Sequence, residues 1–140
     1  NNVVTPALDA IIEATVYLSG VGADNVNCAA PHSFYNGVTS LGGHEAYHGN
    51  CVAFGTLIQL TLECADKAEF EDIQNFCLEV GLPITLAELG DFTDEDLHTI
   101  AKNACVKGET IHNLAGDVTP DELYAAIIAT DALGKARLGK

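Results

Sequence analysis

Methionine is absent from this 140-residue chain, and no lysine or arginine occurs before Lys67. The first absence, together with the start Asn-Asn-Val-Val, lacks an initiator and any basic and apolar leader. The chain is therefore expected to be a piece of a longer protein. The second absence means that an anionic cofactor bound to the first half must rely on backbone amides, helix N-termini or another segment. Cations are scarce throughout: six Lys and Arg face twenty Asp and Glu, for a formal charge of −14. Such a surface repels phosphate backbones and anionic lipid over a Debye length of about 10 Å, so neither nucleic acid nor membrane is expected as a partner. Apolar runs are also short. Asp, Glu, Asn or Gly interrupts them before the ~18 residues of a membrane span, and the chain reads as soluble. No C-x-x-C pair is present among Cys28, Cys51, Cys64, Cys77 and Cys105. An odd, widely spaced set indicates neither a disulfide framework nor a zinc knuckle, but reduced, buried cysteines of a cytoplasmic protein.

What is present reads as helix. Thr5-Pro6 combines a capping hydroxyl with a proline suited to the first helical position, predicting a helix over about 6–19 that Gly20 and Gly22 end. Residues 24–41 are ambiguous and lean to helix, with Pro31 kinking or beginning it. Residues 47–65 are apolar nearly all round, from Cys51 to Cys64, which predicts a central buried helix. Asp66 is placed to cap a helix over 67–80 carrying Phe70, Ile73, Phe76, Cys77 and Val80, stopped by Gly81 and Pro83. "TLAELG" supplies one short turn. Thr93 and the acids Asp94, Glu95 and Asp96 form a helix start favoured by the macrodipole rather than a calcium loop. Thr119-Pro120 opens a last helix over 120–134, with Leu123, Ala126, Ile127 and Leu133 on one face, before a fraying tail. No β-alternation or fixed repeat interrupts this series. The expected fold is all-α, one domain over 1–140 with about six helices.

Three of the five histidines, His32, His44 and His48, lie in the nearly uncharged stretch 28–55. Neutral imidazole is the commonest protein ligand for transition metals. His44 and His48 stand at i, i+4, one helical turn apart, and His32 returns to them if the stretch through Gly37 and Gly42-Gly43 folds as a helical hairpin. A metal site and satisfied structural histidines are both open on this pattern. His44-Glu45-Ala46-Tyr47-His48 also matches H-E-x-x-H, in which two histidines hold zinc and the glutamate activates water. Gly42-Gly43 before it and Gly49 after it argue against the mid-helix setting that motif needs. His98 lies outside the cluster, and His112 reads as a helix-end polar residue. Gly49 and Gly55 would admit a close backbone or a nicotinamide ring, with helix packing the simpler cause.

The stretches "AAPHSFYNGVTSL", "AYHGNCVAFGTLIQLTLE", "VGLPITLAEL" and "GETIHNLAGDVTPDELYAAIIATD" resemble, in order, the C-terminal helical domain of glycerol dehydrogenases. These belong to the iron-containing (group III) alcohol dehydrogenase superfamily. The resemblance implies NAD-dependent oxidation of glycerol to dihydroxyacetone, with a divalent metal, usually zinc, on the substrate hydroxyl. It implies His32 and His48 as two metal ligands, with Tyr35 and His44 near the site. The third ligand, an Asp, and the NAD-binding domain would precede Asn1, so these 140 residues alone should bind metal weakly and show no dehydrogenase activity. Relatives are often octamers, so a homo-oligomer is implied. The chain departs from the family at Tyr35, where relatives often carry a second histidine, at Ala23, where they carry an aromatic residue, and in a shorter loop before His48. These changes bear on the diol or hydroxyketone accepted more than on the metal. Two other readings stand beside this one: a helical scaffold that has kept the fold without catalysis, and a zinc hydrolase using His44, Glu45 and His48.

Overall fold

The computed structural model describes residues 4–43 and 46–139, without the side chains of Asp24 and Val26. Helices dominate, and no strand occurs among the described residues. The first, α1 (Pro6–Glu13), starts as its sequence requires, with the Thr5 hydroxyl accepting the Leu8 N–H at 3.2 Å. It runs through a π-helical turn, Ala14–Leu18, directly into α2 (Ser19–Val26). The expected stop at Gly20 and Gly22 is therefore wrong. Glycine permits the left-handed conformation that ends a helix but does not impose it, and here Asn27, at φ 58°, ends the rod instead. Its apolar residues find no cover: Ile11 is 64% exposed and Val16 72%.

Four helices form the body. α3 (Ala30–Thr39) packs on α4 (His48–Leu62) and α6 (Asp94–Ala104), and α7 (Pro120–Arg137) packs on α4 and α6 from the other side. Phe34, Phe54, Ile58, Ile100, Leu123 and Ile127 fill the space between them. The Phe34 and Phe54 rings, 5.7 Å apart and tilted, join α3 to α4. Burying such a side chain contributes roughly 1.5–3 kcal/mol, so this pair alone outweighs any single cap. α5 (Lys67–Val80) lies against α4 over a smaller cluster of Leu57, Phe70, Cys77 and Ile84. No helix of the described residues is long and apolar enough to cross a membrane.

Glycine sets the closest approach. A Cβ at Gly55 would stand 2.6 Å from the Pro31 Cα, so the α4 backbone lies directly on the first turn of α3, whereas Gly49 has open space around it. Close helix packing accounts for Gly55 and not for Gly49.

Other expectations are corrected in detail. Asp66 occupies the cap position of α5 but makes no capping bond, and Phe76 and Val80 face solvent while Gln74 is buried. The apolar stripe of α5 is narrower than its spacing suggested because α4, the 82–86 segment and Leu138 cover it from one side only. α7 continues to Arg137, whose guanidinium donates to Asn75 Oδ1 at 2.7 and 3.2 Å, in place of a frayed tail after residue 134. Leu133 is exposed, roughly 60–120° around the helix from the buried Ile127, Thr130 and Gly134. All five cysteines are free, but only Cys51 and Cys77 are buried, and Cys64 is exposed.

Candidate metal centre

Two helix starts meet at the histidines. α3 begins at Ala30 with Pro31 in its first turn, which places His32 one residue further along the same turn. α4 begins at His48 itself, after Tyr47 in an extended conformation (φ −62°, ψ 137°). The close α3–α4 crossing at Pro31 and Gly55 then brings the two imidazoles together, ring centroids 5.3 Å apart and planes tilted by 56°. Tyr35, one turn after His32, lays its ring edge-on against His48 at 4.4 Å. His32 is partly buried and His48 exposed, so the site opens to solvent rather than lying between buried helices. Burial first, and repulsion by His48 second, hold the His32 imidazole below its ordinary pKa. His32 is thereby kept neutral near pH 7, with a nitrogen lone pair free to bind.

His44 and Glu45 fall outside the described residues. Their motif nevertheless loses its premise, because Tyr47 is extended and the helix starts only at His48. The H-E-x-x-H arrangement needs both histidines on one continuous helix, and the two described residues before His48, Ala46 and Tyr47, are not helical. Gly42 and Gly43, both left-handed at φ 69° and 81°, have already turned the chain after α3. Among the described residues no group of three His, Cys, Asp or Glu side chains could hold a metal. The other histidines are elsewhere: His98 stacks on Tyr124 with centroids 4.0 Å apart, and His112 Nε2 lies 3.2 Å from the Val106 carbonyl oxygen. Ala23 is exposed on α2.

The start of α3 has no side-chain cap of its own. Residues some eighty positions away hold it. Thr110 Oγ1 donates to the Ala29 carbonyl at 2.8 Å, Asn113 Nδ2 donates to the Cys28 carbonyl at 2.7 Å, and the Ile111 N–H donates to Ser33 Oγ at 2.7 Å. Sequence reasoning missed these residues, since nothing in local spacing pairs the "GETIHN" stretch with "AAPHS".

A groove of about 540 Å³ runs from His32 between the start of α3 and α4, bordered by Cys28, Val52, Thr56, Gln59 and Asn113. A second cavity, about 570 Å³, lies at the far end of α4 among Leu60, Phe70, Gln74 and Leu133. Its rim charges are already engaged, Lys67 with Glu71 at 3.6 Å and Arg137 with Asn75. The site chemistry belongs to the first of these.

No family model matches the chain. It is 48% identical over 137 residues to a glycerol dehydrogenase of Pseudomonas putida, covering 95% of this chain and 37% of that protein. It is also 48% identical over 141 residues to a glycerol dehydrogenase of Citrobacter freundii, covering 99% and 39%. The fold superposes on a probable glycerol dehydrogenase from Sinorhizobium meliloti with a TM-score of 0.87 at 40% identity, covering 96% of this chain and 39% of that one. The chain thus spans less than two fifths of the length of these relatives.

Proposed function

We propose, from the premise that this chain matches the C-terminal part of glycerol dehydrogenases in the iron-type alcohol dehydrogenase superfamily, that it is the metal-holding helical part of an NAD-dependent polyol dehydrogenase. Its substrate would be glycerol or a similar small diol. The observation that carries the reading is the facing pair His32 and His48, contributed by two separate helix starts. With Zn–N bonds of about 2.0–2.1 Å, two imidazoles on one tetrahedral ion place their ring centroids about 5 Å apart. The 5.3 Å observed fits two positions of such an ion. Burial keeps His32 in the neutral form that a ligand needs.

When bound, zinc would supply Lewis acidity toward the substrate hydroxyl, and NAD a hydride acceptor. The residues of this chain have other tasks. His32 and His48 present lone pairs, and Tyr35 fixes the plane of His48 through its edge-on ring contact. The groove beside His32 is bordered by Thr56, Gln59 and Glu63, which hold internal bonds to the Val52 carbonyl and to each other but keep acceptor oxygens for the hydroxyls of a polyol. Two imidazoles are fewer than the three protein ligands usual at a catalytic zinc, so these 140 residues by themselves would bind metal weakly and turn nothing over. The exposed apolar side chains Ile11, Val16 and Tyr17 support burial of the α1–α2 rod against further protein, another part of the same enzyme or a second copy of it; the proposed enzyme is homo-oligomeric and cytoplasmic.

The test is metal retention and NAD-linked glycerol oxidation by the natural full-length protein. His32→Ala and His48→Ala should each abolish both, while Glu45→Gln leaves metal retention intact. Full retention in both histidine variants would overturn the reading.

A further inference from the structure

Segment 109–113 grips the backbone on both sides of His32. The Cys28 and Ala29 carbonyls precede His32 and the Ser33 hydroxyl follows it, and all three are engaged by Thr110, Ile111 and Asn113 at 2.7–2.8 Å. Further along α3, Asn36 Nδ2 donates to Glu109 Oε2 at 2.9 Å. The proton count makes this a directed chain. Thr110 has one hydroxyl proton, spent on the Ala29 carbonyl, so it can only accept across the 3.0 Å Ser33–Thr110 contact, and the single Ser33 proton is shared between Thr110 Oγ1 and Glu109 Oε2, the latter at 3.4 Å. Ser33 Oγ in turn accepts the Ile111 N–H, and Ser33 is fully buried. The Ile111–Ser33 bond is buried, so losing it leaves a buried group unsatisfied, whereas the Thr110 bond is part-buried and the Asn113 bond lies at the surface.

The start of α3 depends on that grip. It has no cap of its own, it follows Asn27 at φ 58°, a costly conformation for a side-chain-bearing residue, and Ala29 is neither helical nor extended (φ −139°, ψ −136°). A backbone so irregular keeps its place only when the surroundings over-determine it. We infer that Thr110, with Ser33 and Asn113, is a positioning device for the metal site: it sets the register of the first turn of α3 and so the direction of the His32 imidazole. The inference rests on the proposed role of His32 as a ligand. Partners bonded directly to a metal ligand change metal affinity about 10- to 100-fold when removed, and Thr110, acting through the backbone one step further out, is expected at the lower end.

Cobalt(II) binding to the natural full-length protein tests it, read by affinity and by the visible absorption band of the bound ion, with no need for turnover. Thr110→Val should weaken cobalt binding about 10-fold and change the band, and Thr110→Ser should restore both. Asn113→Ala, at an exposed position, should act in the same direction and serves if Thr110→Val fails to fold. Thr61→Val removes a comparable hydroxyl bond, to Thr130 at 2.9 Å, between α4 and α7 far from the histidines. It should cost stability while leaving cobalt affinity and band unchanged. Wild-type affinity and band in Thr110→Val, alongside loss of cobalt in His32→Ala, would overturn the positioning role alone. Retention of cobalt in His32→Ala would remove the ligand assignment and the positioning role with it.

Discussion

The ring of Tyr35 meets the ring of His48 at right angles, with centroids 4.4 Å apart, across the gap between α3 and α4. Aromatic pairs in this geometry contribute about 0.5–1.5 kcal/mol beyond their burial. The contact uses the ring and not the hydroxyl. Tyr35→Phe should therefore leave zinc affinity unchanged, and Tyr35→Ala should weaken it by about 2- to 10-fold, the equivalent of that energy. Equal loss in both variants, measured by zinc titration, would move the role to the hydroxyl.

Close packing at two glycines gives a prediction about stability. A Cβ at Gly134 would lie 1.9 Å from the Ile84 carbonyl oxygen, and one at Gly55 would lie 2.6 Å from the Pro31 Cα. Both obstacles are backbone, which cannot rotate away. Gly55→Ala and Gly134→Ala should each lower unfolding stability by about 1–3 kcal/mol or more, against the slight gain alanine brings at an open helical position. Only Gly55→Ala should also reduce zinc affinity, since it displaces the turn that carries His32. Urea unfolding and zinc titration on the same pair of variants check this.

Acid sensitivity is expected at the start of α7. Glu122 accepts from the Thr119 N–H at 2.8 Å and from its hydroxyl at 2.7 Å, and these bonds, the backbone one first, hold the carboxyl below its ordinary pKa. A lowered folded pKa means that the unfolded chain binds the proton more readily. The stabilisation is full above the unfolded value of 4.5 and is lost as pH falls through the folded value. The stability gap between wild type and Glu122→Gln should accordingly close below pH 4.5. A gap unchanged between pH 7 and 3 would show that the ionised carboxylate is not what the cap requires.

Helix starts were legible because their chemistry is local. Thr5-Pro6, Thr93 and Thr119-Pro120 cap their helices with hydroxyl bonds to N–H groups three residues on. The apolar run after His48 likewise became a helix packed on α3, α5 and α7. What failed was judged from residue type where conformation depends on the rest of the fold. Gly20 and Gly22 stayed helical, and Asn27 took the left-handed turn. His48 opens its helix after the extended Tyr47, which spacing alone did not indicate, and His44 lies outside the described residues. The resemblance already pairs His32 with His48, but the Gly55–Pro31 approach that brings them together is revealed only by three-dimensional packing. Thr110 and Ser33 are 77 positions apart and carry no periodic signal at all.

Asp131 offers a last separation, between a hydrogen bond and a charge. It is 6% exposed, it accepts the Leu86 N–H at 2.8 Å through Oδ1, and its Oδ2 lies 2.6 Å from Lys135 Nζ. The two partners differ in what they lose when Asp131 is gone. Lys135 is half exposed and water replaces the carboxylate, whereas the Leu86 N–H bond is buried and has no other acceptor in the structure. Asp131→Ala should cost about 1–3 kcal/mol for that orphaned donor. Asp131→Asn keeps an oxygen for Leu86 and gives up only the ion pair, which should cost about 1 kcal/mol or less at a rim open to solvent. If urea unfolding gives the asparagine variant the full cost of the alanine one, the charge and not the backbone bond ties α7 to the 82–89 segment.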